Sequence, residues 1–430
     1  MPSKPSLAKH LSAASRTLSR VASPRSSLPS TVGEGFCGVS VGSSVFLDIL
    51  YVRPDSFLVR DKFAETFLLT QWEEKIMKRM SMRAAIAALA FSVMPAMSHA
   101  EEISVTTVAG HPPVFLWVKT LSETFIPSVN AALEGTDYKI NWNEAYGGTL
   151  AKPGGALEAI EFGLAQVGIV STLFEPSNLS LQNVTYVTPF GSEDVDLVLK
   201  TVDQMHDEIP GMRSLWQDHD LEYLGGAFGL EDYLLMTKFP VNSLKDLEGK
   251  KINAPGAAVN WLENTGAVGV AGDLTTYYND IQTGVADGVV VFPTAAAAAK
   301  LYEVAPYVTR AHFGAQYAGG IAVGKTWFED QPAEIQDAFR KGVKDFAVAY
   351  RSGLEERVKN AFSSMEKGGA TITELPAAER TAWANALPPI ALNWAKEQDD
   401  HGLPGTEVID TYIRHLKDAG VNLPRDWSAK

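Results

Sequence analysis

A lysine in a glycine-rich loop is the residue of this chain whose type and setting best suit the binding of an anion. Lys152 lies in residues 146–155 (YGGTLAKPGG), directly before a predicted helix at 156–163. Free backbone N–H groups at a helix start, together with the helix dipole, favour a negatively charged group. The sequence therefore predicts an anion site at Lys152, and a plain helix entry with a solvated lysine is the equally weighted alternative.

The motifs that would indicate an enzyme are absent or out of place. Residues 38–42 (GVSVG) match the pattern of a nucleophilic serine, but no predicted strand precedes them and no helix follows. Residues 266–272 (GAVGVAG) have the wrong glycine spacing for a dinucleotide loop. The only cysteine is Cys37, and neither a zinc-protease motif nor a phosphate-binding Walker loop occurs. We expect no enzymatic activity, no metal and no cofactor.

Aromatic residues gather in the loops and at the ends of the predicted strands. Each of them is more often a core residue than a pocket residue, but an α/β protein with two lobes binds its ligand at such strand ends. The candidates for the pocket are Tyr146, Phe174, Phe228, Tyr233, Trp261, Tyr277 and Phe292. His111 and His312 lie near predicted lobe edges, where a histidine is more often structural than a ligand.

An export signal is predicted in the interior of the chain. Basic residues at 78–83 precede an apolar run at 84–97, and small residues at 98–100 predict cleavage after Ala100. The apolar run is too short to cross a bilayer comfortably, and a buried helix is the less favoured alternative. Residues 1–44 are rich in Ser, Arg and Pro without helical or strand periodicity, so we expect residues 1–76 to be a mis-assigned start or a disordered leader.

The charge of the exported part limits its partners. Residues 101–430 hold 44 acidic and 25 basic side chains, a net charge of −19. Such acidity argues against binding to nucleic acid or to an anionic membrane surface. No later apolar stretch is long enough to insert into a membrane. We expect a soluble periplasmic protein that is a monomer.

Strand and helix patterns alternate along the exported part, which predicts parallel α/β lobes. A helix of more than thirty residues follows Pro332, because apolar residues recur every three or four positions from Ile335 to Phe362. We expect this helix to bridge two lobes. Lobe I is predicted to comprise 101–228 and 316–355, and lobe II 229–315 and 356–430. Strands are predicted near 103–108, 138–142, 166–170, 221–225, 233–236, 251–254 and 288–292.

Several stretches resemble the solute-binding proteins of tripartite ATP-independent periplasmic (TRAP) transporters, in the dicarboxylate-binding branch. They are residues 242–256 (NSLKDLEGKKINAPG), 276–288 (TYYNDIQTGVADG), 300–308 (KLYEVAPYV) and 332–339 (PAEIQDAF), and the likeness covers most of 103–365. The resemblance implies a periplasmic-binding-protein fold with two lobes, a cleft between them, hinge strands and a long helix that spans the lobes. It also implies a receptor that closes over a small organic acid and passes it to an ion-driven membrane permease. A receptor of the same fold that serves a sensor kinase is the alternative.

The site implied by this resemblance departs from the family pattern. Family members usually pair an arginine with the ligand carboxylate at the position of Asn253, and a second basic position corresponds to Tyr233. A ligand-contacting asparagine of the family corresponds to Val291. Arginine offers a planar fork of donors and a fixed charge, whereas asparagine offers one weaker amide.

This exchange predicts a ligand with an aromatic or otherwise apolar body. Such a body would pack on Trp261, Phe292, Tyr233 and Tyr277. Its acid group would then be held by Lys152, by the neighbouring helix start and by His111.

Overall fold

The computed structural model describes residues 101–429. The predicted leader, the signal sequence and the serine motif at 38–42 lie outside this range. The strands, in chain order, are β1 (Glu101–Ala109), β2 (Tyr138–Tyr146), β3 (Val167–Val170), β4 (Leu221–Leu230), β5 (Leu234–Thr237), β6 (Lys251–Ala254), β7 (Val268–Ala271), β8 (Gly288–Val291), β9 (Tyr307–Arg310), β10 (Gln316–Gly324) and β11 (Thr371–Glu374).

These strands form two separate mixed sheets. The first has the order β2-β1-β3-β10-β4, in which β1 pairs in parallel with β2 and β3, while β10 is antiparallel to β3 and β4. The second has the order β11-β9-β5-β8-β6-β7, in which β6 pairs in parallel with β7 and β8, while β5 is antiparallel to β8 and β9. The central strands β3, β5 and β8 are buried along their whole length, which explains their continuous apolar sequences.

The chain crosses between the two sheets twice through short connections, which we call the hinge crossings. The first is residues 231–233, which join β4 of the first sheet to β5 of the second. The second is residues 311–315, which join β9 of the second sheet to β10 of the first. Two short connections between otherwise separate sheets are the arrangement typical of hinged domains.

Helices cover both sheets. They are α1 (Leu116–Thr120), α2 (Ile126–Ala132), α3 (Ala156–Glu161), α4 (Val184–Val187), α5 (Val195–Glu208), α6 (Pro210–Gln217), α7 (Tyr277–Thr283), α8 (Pro293–Ala298), α9 (Lys325–Glu329), α10 (Ala333–Lys367), α11 (Ala377–Ala386), α12 (Ile390–Asp400) and α13 (Gly405–Asp418). A π-helical turn, Leu121–Phe125, connects α1 to α2. Among residues 101–429, no helix is both long and apolar enough to cross a bilayer.

The long helix α10 has 35 residues and contacts elements of both sheets. It begins after Pro332 and ends before Gly368, as its sequence predicts. In its middle, Tyr350 donates a hydrogen bond of 2.6 Å to the carbonyl of Gly229 on β4. Near its end, the ring of Phe362 lies 5.4 Å from the guanidinium of Arg310 on β9. The helix therefore ties the two sheets together on one side of the molecule.

The C-terminal helices also reach both sheets. Trp383 of α11 donates to the carbonyl of Trp261, beyond β6, at 2.7 Å. Arg414 of α13 pairs with Glu208 of α5 at 2.9 Å, and Trp427 donates to the carbonyl of Pro189 at 2.7 Å. The lobe boundaries drawn from the sequence, including the placement of 356–430 with lobe II, stay a prediction.

Candidate ligand-binding site

A cavity of about 60 Å³ lies between the two sheets, at the ends of their strands. A space of this size holds a few water molecules or part of a small organic ligand. The first sheet and its connections contribute His111, Trp117, Phe174 and Phe228, with smaller neighbours. The second sheet and the first hinge crossing contribute Tyr233, Asp273, Tyr277, Val291 and Phe292, with smaller neighbours. Because both sheets supply walls, a ligand here would contact both.

The wall on the side of the first sheet is a stack of aromatic rings. Trp117 lies parallel to Phe228, with 4.7 Å between ring centroids and an interplanar angle of 14°. His111 meets Trp117 edge to face at 5.4 Å. The indole Nε1 of Trp117 is buried and has no hydrogen-bond partner among the described residues. Because a buried N–H without an acceptor is costly, this group suits the acceptor oxygen of a ligand.

The opposite wall is also aromatic, but its hydroxyls are already bonded within the protein. Tyr233 lies 5.6 Å from Phe292, and its hydroxyl is 3.4 Å from that of Tyr186. The hydroxyl of Tyr277 donates to the carbonyl of Gly272 at 3.0 Å. Burial raises the pKa of both lining tyrosines, so they stay neutral. This wall therefore offers a flat apolar surface with little free hydrogen-bonding capacity.

The charge of the cavity is unusual for an acid-binding site. Burial lowers the pKa of His111 to about 4, so its imidazole is neutral at physiological pH. Among the described residues, no lysine or arginine lines the cavity, and Asp273 is the only lining residue with a formal charge. The expected role of His111 in holding an acid group is thus limited to a neutral hydrogen bond.

The loop that carries Lys152 packs against the first wall without lining the cavity. A Cβ atom on Gly110, the neighbour of His111, would lie only 2.5 Å from the carbonyl carbon of Lys152. A Cβ on Gly154 would lie 3.4 Å from the Cβ of Phe174. The carbonyl of Lys152 accepts a hydrogen bond from the N–H of Gly155 at 2.9 Å, but its side chain makes no hydrogen bond or ion pair within 101–429, so its charge is available. The helix that follows, α3, has only six residues. Its dipole should therefore contribute less to the predicted anion site than the charge of Lys152 does.

Three other candidates lie away from the lining. Asn253 is fully buried in β6, where its Nδ2 donates to Oδ2 of Asp280 at 3.1 Å. Trp261 is a core residue behind Tyr233, and its Nε1 donates to the carbonyl of Tyr186 at 2.7 Å. Tyr146, the last residue of β2, has a buried hydroxyl without a partner in the described part of the chain.

The structure therefore brings six of the ten candidate residues together. They are His111, Phe174, Phe228, Tyr233, Tyr277 and Phe292. Sequence reasoning missed the other lining residues, among them Trp117 and Asp273. Trp117 lies in the short helix α1, and no motif in its sequence marks it as a pocket residue. Asp273 follows β7 after one glycine, and because the sequence did not predict this strand, no signal pointed to Asp273.

Residues 117–398 match the model of the bacterial extracellular solute-binding proteins, family 7, also named DctP. The chain belongs to this family. It is 26% identical over 243 residues to the C4-dicarboxylate-binding periplasmic protein DctP of Rhodobacter capsulatus. The matched region covers 54% of this chain and 70% of that protein. The predicted membership of the TRAP solute-binding proteins is thereby confirmed, and the family is one of transport proteins rather than enzymes.

Solved TRAP solute-binding proteins have the same fold. One from Desulfovibrio salexigens superposes with a TM-score of 0.65 at 18% identity, covering 74% of this chain and 97% of that one. The ectoine-binding protein of the TeaABC TRAP transporter of Halomonas elongata gives a TM-score of 0.61 at 18% identity, covering 74% and 100%. These matches confirm the predicted α/β fold with two lobes and a long spanning helix.

Proposed function

We propose that this chain is the periplasmic receptor of a TRAP transporter and that its ligand is a small organic acid with an aromatic or other apolar body. The ligand enters between the lobes, the lobes close over it, and the closed form delivers it to an ion-driven permease. The observation that carries the proposal is the aromatic cavity between two sheets that are joined by two hinge crossings. The relative in Rhodobacter capsulatus is named for C4-dicarboxylates, which supports an acid as the ligand class.

Hinge closure follows from the placement of the walls. A ligand between Trp117 and Phe228 on one side and Tyr233 and Phe292 on the other contacts both sheets only when they are close together. This difference in contact between open and closed forms is what allows a ligand to shift their populations. The permease would then recognise lobe surfaces that align only in the closed form.

The charge of the cavity supports one acid group rather than two. The apolar body would lie between the aromatic walls, and Nε1 of Trp117 would donate to an oxygen of the ligand. The carboxylate would face the loop of Lys152, which is anchored beside His111 and Phe174. A dicarboxylate would leave its second charge within a lining whose only charged group is the acidic Asp273.

The affinity of the Lys152→Ala variant tests the proposed position of the acid. We use benzoate and phenylacetate as probes and measure their dissociation constants by calorimetry. A charge-assisted bond contributes about 1.5–3 kcal/mol, so the variant should bind about 10–100-fold more weakly. Lys396→Ala is the matched control, because that lysine pairs with Asp400 on the surface helix α12. Unchanged affinity in Lys152→Ala would move the anion site elsewhere.

A further inference from the structure

The two hinge crossings meet at a cluster of one imidazole and two carboxylates. Asp232 belongs to the first crossing, His312 to the second, and Glu193 lies just before α5. Nδ1 of His312 lies 2.9 Å from Oε2 of Glu193 and 3.2 Å from Oδ2 of Asp232. One ligand atom from each residue lies within 4.8 Å of the others. Three separate segments thus direct donor atoms to one point.

The facing atoms of this cluster are in ion-pair contact but not in hydrogen-bond geometry. Oδ2 of Asp232 and Nδ1 of His312 are both buried and lie 3.2 Å apart, and neither has a partner with hydrogen-bond geometry within the described range. The other oxygen of Asp232 accepts from the backbone N–H of Gly314 at 2.8 Å, which fixes the carboxylate. Both atoms can bind a metal ion. Because they face each other without hydrogen-bond geometry, a cation suits the space between them.

The far side of the imidazole is supported as in many metal sites. Nε2 of His312 lies 2.6 Å from Oε2 of Glu374, at the end of β11. A metal-binding histidine usually donates its other ring N–H to a carboxylate, which fixes the tautomer and orients the ring. This bond leaves Nδ1 to face Glu193 and Asp232. The left-handed backbone of His312, with φ of 55°, shows that the crossing holds this ring at some conformational cost.

An open cleft beside the cluster provides access for an ion and for water. The cleft has a volume of about 650 Å³, and Glu193 and Asp232 line it. Glu231 lines it as well; this residue is only 4% exposed, and its Oε2 has no partner among residues 101–429. Acidic side chains outnumber basic ones in the lining. Both the unpartnered carboxylate oxygen and the charge balance favour a cation.

We propose that Glu193, Asp232 and His312 form a divalent-cation site at the hinge that prefers zinc. One imidazole nitrogen and two carboxylate oxygens are a ligand set that zinc accepts, with water from the cleft in the fourth position. Zinc bonds of about 2.0–2.2 Å place neighbouring tetrahedral ligands roughly 3.3–3.6 Å apart. The two distances from Nδ1 of His312 therefore have to widen by only a few tenths of an ångström. The bound ion would cross-link both hinge crossings to the segment before α5.

The competing account is an ion-pair cluster that needs no metal. In the absence of a cation, the carboxylates of Asp232 and Glu193 beside the ring raise the pKa of His312 to about 10, so the ring carries a proton. Both accounts predict that the cluster stabilises the hinge. Only the metal account predicts a saturable zinc site that depends on Glu193 and Asp232.

Calorimetric titration with zinc chloride distinguishes the two accounts. The protein is purified from the periplasm, treated with a chelator and titrated, with magnesium chloride as the comparison. We expect one zinc ion per chain and much weaker binding of magnesium. Glu193→Gln, whose side chain is 45% exposed, and Asp232→Asn should each weaken zinc binding at least about tenfold.

His415→Gln is the matched control, because His415 also pairs with a glutamate, Glu208, at 3.0 Å but belongs to no cluster of three metal-binding side chains within 101–429. It should bind zinc as the parent protein does. The proposal fails if the parent protein binds no zinc, or if Glu193→Gln and Asp232→Asn bind it as tightly as His415→Gln. Either result is independent of the organic ligand, so it leaves the proposed transport function untouched.

Discussion

At the scale of single residues, the cavity and the core use the same residue types in different ways. Trp117 and Trp261 are both buried tryptophans next to an aromatic partner. Trp261 bonds its indole N–H to the carbonyl of Tyr186, whereas the N–H of Trp117 has no acceptor in the described structure. A satisfied N–H is typical of a structural residue, and an unsatisfied one at a cavity wall indicates a group kept for a ligand.

This difference predicts opposite effects of the same substitution. Trp261→Phe removes a buried hydrogen bond and leaves the Tyr186 carbonyl without its donor, so the free energy of unfolding should fall by about 1–3 kcal/mol. Trp117→Phe removes a donor that has no partner, so the loss of stability should be smaller while binding of aromatic acids weakens. Urea unfolding and calorimetry measure the two effects. Equal destabilisation in both variants would contradict the assignment.

His206 predicts a pH dependence of stability. Its ring is buried, Nδ1 lies 2.8 Å from the carbonyl of Val202, and Nε2 accepts from Trp216 at 3.3 Å. Burial lowers its pKa from 6.5 to about 4, so the unfolded chain binds a proton in this window and the folded chain does not. Stability is therefore present above pH 6.5 and is lost as the pH falls towards 4.

Comparison with His206→Phe isolates this contribution. Between pH 7.5 and pH 5, the parent protein should lose about 2 kcal/mol more unfolding free energy than the variant, because the variant has no proton to take up on unfolding at this position. The variant should also be less stable at pH 7.5, since the Val202 carbonyl and the Trp216 N–H lose their partner. Parallel pH profiles for the two proteins would refute the assignment. The measurement is chemical unfolding at both pH values.

At the scale of elements, the strongly periodic segments could be predicted from the sequence. The bounds of β6 and the end of α10 agree with the bounds predicted from the sequence. The short apolar strand stops before Pro255 and the long amphipathic helix stops before Gly368, and both residues are clear stop signals. In contrast, β10 was not predicted. It contains Gly319 and Gly320, which are required because a Cβ at either position would lie within 2.5 Å of the Val170 carbonyl or the Tyr223 ring.

The edge strands were missed for a different reason. β7 and β11 are short and largely exposed at the two edges of the second sheet, so they lack the apolar pattern of a buried strand. The sequence also did not distinguish which strand-end aromatics face the cavity. That choice depends on how β6, β8 and the first hinge crossing pack together, which is tertiary information. Trp261 and Asn253 point into the core for this reason.

Two glycines of α10 make a testable contrast at this scale. A Cβ on Gly342 would lie 2.7 Å from Cγ2 of Val129 and 2.9 Å from the ring of Phe125, whereas a Cβ on Gly353 meets only the end of the Leu116 side chain, at 3.3 Å. Gly342→Ala should lower the unfolding free energy by about 1–3 kcal/mol through overpacking. Gly353→Ala should be neutral or stabilise by up to about 1 kcal/mol through helix propensity. Equal effects in urea unfolding would show that Gly342 is not a close-packing site.

At the scale of the whole molecule, binding and movement depend on the same architecture. The aromatic cavity lies between the sheets, the hinge crossings connect them, and α10 contacts both. A ligand that fits between the walls holds the sheets together, and the charge of the lining decides which acids fit. The family shares this architecture, whereas the cavity lining, which holds no lysine or arginine among the described residues, is a property of this chain.

The most direct test is the melting temperature of the exported protein in the presence of benzoate, phenylacetate and succinate. A ligand at a hundred times its dissociation constant adds about 2.7 kcal/mol, which shifts the midpoint by a few degrees in a chain of this size. We predict that an aromatic monocarboxylate raises the midpoint and that succinate does not. A shift with succinate and none with the aromatic acids would contradict the proposed site and would place a carboxylate clamp on other residues.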